Sequence, residues 1–263
     1  MNERGRRVPW PAVLVALVAF LFIIFPLFGL IQKAPWGELR HQLGTPEARD
    51  ALKLSLVCSL WATLLAVLFG VPLAWVFARV RFPGRSIVWA LCILPMVLPP
   101  VVGGVGLLYA FGRRGFVGSR LYDWFHIQLT FSTAGAVLAE TFVALPFLVI
   151  TVEAALRAMD RHYEEAASTL GAGRWTVFRR VTLPMIAPGL LAGAVLAWAR
   201  ALGEFGATIT FAGNIQGKTQ TMPLAVYLLL DSQPQVATAL SLVLLAVSVT
   251  VLALLRNRWL GGA

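Results

Sequence analysis

Charge is scarce in this sequence. Asp, Glu, Lys and Arg make up 13% of its 263 residues, against about 25% in soluble globular domains. The shortage is concentrated in long uncharged runs, which argues against an ordinary water-soluble fold. Cysteine is scarce as well. Cys58 and Cys92 fall in two different apolar runs, so neither a disulfide framework nor metal-ligand spacing is present. Both read as small apolar filler. The three histidines, His41, His126 and His162, are scattered through loops. No Gly-x-x-x-x-Gly-Lys-Ser/Thr phosphate loop occurs, nor any nucleophile, acid–base pair or metal cluster. The chain is therefore expected neither to hydrolyse ATP nor to bind a cofactor or metal, and no residue is assigned a catalytic role.

What is there is apolar length. Val8–Ile31, Leu54–Ala78, Ser86–Gly112, Val181–Ala199 and Val236–Leu255 carry no charge, and Ile127–Val152 carries only Glu140. A membrane-crossing helix takes about 20 mostly apolar residues, and backbone groups in lipid must be bonded within the segment. The expectation is an all-α membrane protein with six spans, at about 9–32, 52–79, 86–112, 130–157, 182–204 and 235–256, in one domain. The first run follows Arg4, Arg6 and Arg7 as a signal peptide would. It exceeds the usual apolar stretch of about 7–15 residues, and it has Pro26 and Phe28 where small cleavage-site residues belong. It is read as a retained helix. Only eight residues follow Leu255, so no fused ATPase or regulatory domain is expected.

The net charge of +10 does not indicate nucleic acid, because the charges sit at span ends and in loops. Thirteen of the 22 Lys and Arg fall on one predicted side: Arg4, Arg6, Arg7, Arg79, Arg81, Arg85, Arg157, Arg161, Arg174, Arg179, Arg180, Arg256 and Arg258. The positive-inside rule then places both termini in the cytoplasm. Arg113, Arg114 and Arg120 crowd an outer loop and weaken the asymmetry. Thr45 is a candidate cap for the second span.

The third run is unusual. Pro95, Pro99 and Pro100 remove backbone donors, and Gly103, Gly104 and Gly106 follow, permitting close backbone approach. A kinked packing helix would explain them. The functional alternative is a bending helix that lines a pathway, and that is the reading adopted.

The 158–181 segment carries the most specific pattern. It reads Glu164-Glu165-Ala166-Ala167-Ser168-Thr169-Leu170-Gly171 and, nine residues later, Val181-Thr182-Leu183-Pro184. Asp160 is a candidate cap for a short helix running to Leu170, and Gly171-Ala172-Gly173 reads as a turn. Arg174 to Arg180 reads as a second short helix leading into the fifth span. Ala166 and Ala167 are small enough to let the first helix sit deep in a partner's groove. Glu165 supplies a carboxylate at the rim, and Arg174, Arg179 and Arg180 supply cations. The pattern resembles the EAA loop of binding-protein-dependent ABC importers. Glu165, Ala166, Ala167, Gly171, Leu183 and Pro184 match at full spacing, and Val181 replaces the usual Ile. The resemblance implies that Glu164, Glu165, Ala166, Ala167, Gly171, Arg174, Leu183 and Pro184 couple this subunit to a separate ATPase. A passive channel would not need such a loop.

A second stretch, from Ala199-Arg200-Ala201-Leu202-Gly203-Glu204-Phe205-Gly206-Ala207-Thr208 through Phe211-Ala212-Gly213-Asn214 to Thr219-Gln220-Thr221-Met222-Pro223, is similar to the molybdate branch of these permeases. Sulfate and thiosulfate permeases share its first part. The resemblance covers about residues 50–255. It implies the six-helix fold of type I importer permeases and a homodimer in a bacterial inner membrane. Two ATPase subunits would bind ATP and magnesium below, and a periplasmic or lipid-anchored oxyanion-binding protein would dock above. The expected cargo is molybdate, or tungstate, which matches it in size and charge; sulfate or thiosulfate is the alternative. A doubly charged ion needs a protein-lined route. Pro95, Pro99, Gly103, Gly104, Arg200, Glu204, Gly206, Thr208, Thr210 and Asn214 are its candidate lining. Arg200 and Glu204, four apart on one helix face, are read as a structural pair that orients the helix end. Glu140, an acid well inside a span, is read as structural, with a functional role as the alternative.

Overall fold

The computed structural model describes residues 10–259, with side chains as far as residue 253. Arg4, Arg6, Arg7 and the side chains of Arg256 and Arg258, which carry part of the charge asymmetry, lie outside these limits. Among the described residues there is no strand. In chain order the helices are α1 (Trp10–Gln32), α2 (Leu39–Gln42), α3 (Pro46–Arg79), α4 (Arg85–Val97), α5 (Pro100–Phe111), α6 (Gly118–Phe125) and α7 (Thr133–Ala158). There follow α8 (His162–Thr169), α9 (Arg174–Val177), α10 (Leu183–Leu202), α11 (Gly206–Phe211), α12 (Met222–Ser232) and α13 (Pro234–Trp259).

Five helical stretches are long and apolar enough to cross a bilayer: α1, α3, α7, the continuous Arg174–Leu202 unit and α13. The expected third span is not one helix. It is broken into α4 and α5, whose axes are bent by 118°. Leu98 and Pro99 both take extended backbone, with ψ of 135° and 129°. A residue preceding proline is pushed out of the helical region, and two such steps in succession end α4 outright. Pro100 then starts α5 at the position where its missing N–H costs nothing.

The centre of the bundle is α3 against α7, with α10 against both. The face that α3 buries is a ladder of small residues: Ala48, Ala51, Ser55, Cys58, Ser59, Ala62, Ala66, Gly70, Ala74 and Ala78. This three-and-four spacing lets helix backbones approach closely where lipid supplies no hydrophobic drive. At Gly70 a Cβ would sit 2.8 Å from Leu148 Cδ2. Polar members of the ladder tie in neighbours. Ser59 Oγ accepts from Trp198 Nε1 at 3.0 Å, and Ser55 Oγ accepts from the Met222 N–H at 2.6 Å. α3 starts well before the expected residue 52, because the Thr45 hydroxyl accepts from the Ala48 N–H at 3.3 Å and Pro46 opens its first turn.

α3 and α7 run the same way. The end of α3 at Arg79 reaches Glu164, just past the end of α7. Residues 80–132 must therefore cross back once, and the broken α4–α5 pair with the α6 loop makes that return. α10 begins on the α8 side and ends at the opposite face, where α11 packs on α5 and α7. α1 has no buried residue and touches the described body chiefly through α13.

Candidate functional site

The segment bearing the EAA-like pattern forms a foot outside the bundle. α8 starts where Asp160 Oδ1 accepts from the His162 N–H at 3.0 Å and meets His162 Nδ1 at 2.8 Å. The His162 amide hydrogen bond, then the imidazole, holds the Asp160 carboxyl below the usual carboxylate range. The same carboxylate raises His162. α8 ends in a glycine C-cap: Gly171 has φ of +85°, the Gly171 N–H reaches Ser168 O, and the Ala172 N–H reaches Ala167 O. Both bonds satisfy carbonyls that a helix end leaves free.

The two glutamates of the motif divide the work. Glu164 turns back into the protein. Its Oε1 accepts from the Thr182 hydroxyl at 2.6 Å, and its Oε2 lies 3.2 Å from Arg79 Nη2. Glu165 and Ala166 face outward, Ala167 is half-buried, and Leu170 is 88% exposed. The uncovered surface of the foot thus belongs to Glu165, Ala166 and their neighbours, while Glu164 anchors the foot to α3 and to the start of α10. Trp175, 71% exposed, stacks on Phe178 and extends this uncovered surface, with Arg174 also exposed.

The expected second short helix does not stop before the fifth span. α9 runs through a π-turn, Phe178–Thr182, directly into α10. The Leu183 N–H bonds to Phe178 O, five residues back. Proline carries no N–H and crowds the carbonyl four residues earlier, so the wide turn falls just before Pro184. The result is one continuous lever from Arg174 to Leu202.

An acid that sequence reasoning passed over sits near the inner end of α7. Glu153 is 5% exposed. Its carboxylate takes Arg157 Nη2 at 2.6 Å and Trp89 Nε1 at 2.7 Å, with Arg85 Nη2 at 3.6 Å. The i,i+4 spacing to Arg157 was a visible signal; the reach of Arg85 and Trp89 across from α4 was not.

The candidate pathway residues converge at the opposite face, in a tight seam. Arg200 Nη1 lies 2.5 Å from Glu204 Oε2, and Glu204 is 1% exposed. Glu204 Oε1 also accepts from the Ala207 N–H at 2.8 Å, so the pair fixes the turn from α10 into α11. α11 then packs on α5 through glycines. A Cβ at Gly104 would lie 2.7 Å from Thr210 Cβ and 2.9 Å from Ala207 O, and one at Gly206 would lie 2.8 Å from Pro100 Cβ. Gly103 faces Phe142. Gly103, Gly104, Gly206 and Thr208 are buried, Pro95, Thr210 and Asn214 are half-buried, and Pro99 is exposed. Within one chain these glycines serve close packing rather than an open channel. The Thr210 hydroxyl is spent on Gly206 O at 2.8 Å. Thr208 Oγ1, Asn214 Oδ1 and Glu140 Oε2 are buried without a hydrogen-bond partner among the described residues. Two of the candidate lining residues, Thr208 and Asn214, therefore keep neutral polar atoms uncommitted. Glu140 itself is 1% exposed.

Residues 66–261 match the model of the binding-protein-dependent transport system inner membrane component. The chain belongs to that family. It is a membrane-embedded permease of the importer class, as its EAA-like foot and helix set imply. It is 48% identical over 240 residues to the molybdenum transport system permease protein ModB of Mycobacterium tuberculosis, covering 90% of each chain. It is 47% identical over 211 residues to the protein of that name in Escherichia coli, covering 80% of this chain and 92% of the other. The sulfate transport system permease protein CysT of Escherichia coli is more distant, at 38% over 240 residues, covering 90% of this chain and 86% of the other. The fold matches a chain in the crystal structure of a bacterial ABC transporter that imports the acidic polysaccharide alginate. That TM-score is 0.75 at 21% identity, covering 95% of this chain and 94% of the other.

Proposed function

We propose that this chain forms the translocation pathway for molybdate or tungstate in an importer powered by ATP hydrolysis on separate subunits. The observation that carries the reading is the foot: Glu164 is tied to Arg79 and Thr182, while Ala166, Leu170 and Trp175 are left uncovered. A small, outward-facing helix that is firmly bonded to α3 and α10 is suited to seat in a cleft of an ATPase and pass its closure to the bundle. Such coupling needs an element with two positions, biased by the partner's nucleotide state. In this reading Glu165, Ala166, Ala167 and Arg174 meet the ATPase. Glu164, Gly171, Leu183 and Pro184 give the foot its shape and join it to the lever.

Identity of 47–48% to molybdenum permeases against 38% to a sulfate permease supports the choice of cargo. Two copies of the chain, two ATPases and an external oxyanion-binding protein complete the assembly, in the inner membrane with both termini cytoplasmic. The chain itself has no catalytic role, and ATP and magnesium belong to the partner. Arg200 and Glu204 hold the outer helix turn, and Thr208 and Asn214 offer polar atoms to the passing ion.

The test is ATP hydrolysis by the purified complex in a bilayer, with binding protein loaded in turn with molybdate, tungstate and sulfate. Stimulation by the first two and not by sulfate is expected. Stimulation by sulfate alone would move the cargo to the sulfate branch. Cysteines placed at Glu165 and Ala166 should crosslink to the ATPase, and their failure to do so would remove the coupling role.

A further inference from the structure

On the face that carries α8, five arginines surround one cavity of about 420 Å³: Arg79, Arg81, Arg85, Arg157 and Arg161. They come from the end of α3, the turn that follows it, the start of α4, the end of α7 and the residue just before α8. The transport reading uses only Arg79 among them. Their convergence is enforced by the fold. The Arg79–Arg85 connection is a tight turn with Gly84 at φ of +76°, and Arg161 Nη2 bonds to Ala78 O at 3.3 Å across it.

The carboxylates facing the cluster do not balance it. Glu164 approaches Arg79, and Glu153 serves Arg85 and Arg157. The nearby Asp160 is paired with His162. Five guanidiniums against Glu153 and Glu164 leave an excess of three positive charges.

Arg79 is the pointed observation. Its side chain is 9% exposed, and its Nε and Nη2 are buried without a directed hydrogen bond. The Glu164 carboxylate lies within ion-pair distance of Nη2 but off the line of its N–H groups. Nε and Nη2 together form the guanidinium edge that grips two oxygens of a carboxylate or phosphate in parallel. Burial closes that edge to the cavity itself, so Arg79 stands behind the cavity wall as a guanidinium answered, among the described residues, by the Glu164 ion pair alone.

The geometry points to a binding site for a tetrahedral oxyanion, held by Arg81, Arg85, Arg157 and Arg161 and backed by the buried charge of Arg79. The ligand chemistry is that of a phosphate group, whether on an anionic lipid headgroup or on a free ion. Basic pockets where spans meet the membrane surface suit headgroups, and a free tetrahedral anion presents the same oxygens. The site stands whether or not the proposed cargo is right.

The experiment uses the full-length chain purified with its ATPase subunits. Native mass spectrometry counts retained phosphatidylglycerol after exchange into zwitterionic detergent, and calorimetry titrates orthophosphate into delipidated complex. The variants are Arg79→Gln, the more exposed pair Arg81→Gln with Arg161→Gln, and Arg113→Gln with Arg114→Gln in the loop after α5 as control. One outcome is phosphatidylglycerol retention that falls roughly tenfold in the Arg81/Arg161 variant and is unchanged in the control; it supports a headgroup site. Saturable orthophosphate binding with the same variant pattern supports a free-anion site. Absence of both in the wild type, or equal losses in the control, overturns the proposal. The exposed double variant keeps the test decisive if Arg79→Gln does not fold.

Discussion

Two short helices, α8 at one face and α11 at the other, are each positioned by a single glutamate, and they are built to opposite ends. Glu164 reaches from within α8 to Thr182 and Arg79 with 19% of its side chain exposed. The outward face of that helix is uncovered by any of the described residues. Glu204 sits ahead of α11, is 1% exposed, and bonds both Arg200 and the Ala207 amide. α11 is then locked by contacts that leave no room for a methyl group at Gly104 or Gly206. One helix is tethered and the other is wedged. A tethered element can shift as a unit when a partner pulls on it, whereas a wedged one holds its geometry or comes apart.

The sharpest way to break this contrast is at Glu204. Glu204→Ala strands Arg200 and the Ala207 N–H, and removing one partner of a buried pair costs about 3–5 kcal/mol. The loss should fall near the low end, about 3 kcal/mol, because Arg200 keeps 27% exposure. Thermal unfolding of the purified protein measures it. A double-mutant cycle with Arg200→Ala should give strongly non-additive losses; additive ones would mean that the two residues act independently.

Gly104→Ala comes next. Its methyl must displace backbone at Ala207 as well as Thr210, so overpacking should cost about 1–3 kcal/mol. The same substitution at Gly106, where nothing lies within 4 Å, should be neutral. Equal effects at the two sites would undo the wedge.

At the tethered end the effect moves from stability to coupling. Glu164→Gln keeps an acceptor for Thr182 but removes the charge facing Arg79, whose side chain is 9% exposed, so stability should fall by about 1–2 kcal/mol, less than at Glu204. Binding-protein-stimulated ATP hydrolysis should nonetheless fall severalfold, and an unchanged rate would mean that the tether carries no force.

The smallest effect is pH-dependent. His162 is raised in the folded protein, so its contribution to the start of α8 is full below the ordinary histidine range. It is lost as pH climbs through the raised value. Asp160 is lowered, so its contribution persists above the ordinary carboxylate value and is lost as pH falls through the lowered one. Amide exchange across residues 162–169, corrected for intrinsic rate, should be slower under mildly acid than alkaline conditions. His162→Gln should flatten that difference.

The long apolar runs, four of them free of charge and the fifth carrying only Glu140, disclosed the five crossing helices, because lipid demands apolar length and little else. The EAA-like spacing marked the foot for the same reason that the structure preserves it: Gly171 must take a left-handed backbone, and Pro184 must follow the wide turn. What stayed hidden depended on distance in space. Leu98-Pro99-Pro100 announced a bend but not a full break, since the angle is set by how α5 docks on α11. Glu153 lay at the end of a span, and its partners Arg85 and Trp89 come from α4. The motif spacing put Glu165 at the rim but gave no direction for Glu164; the position of Arg79, distant in the chain, is what draws Glu164 inward.

The break after Val97 also bears on the bilayer. α4 has 13 residues and so rises about 20 Å, well short of a hydrocarbon layer of about 30 Å. Its upper end must therefore stop at mid-depth, where chain ends normally find no water. Two adjoining prolines ease that stop, since neither carries an amide proton to strand in oil. Acyl chains beside α4 would then meet a ledge instead of a smooth wall, and local thickness there would be dictated by the protein.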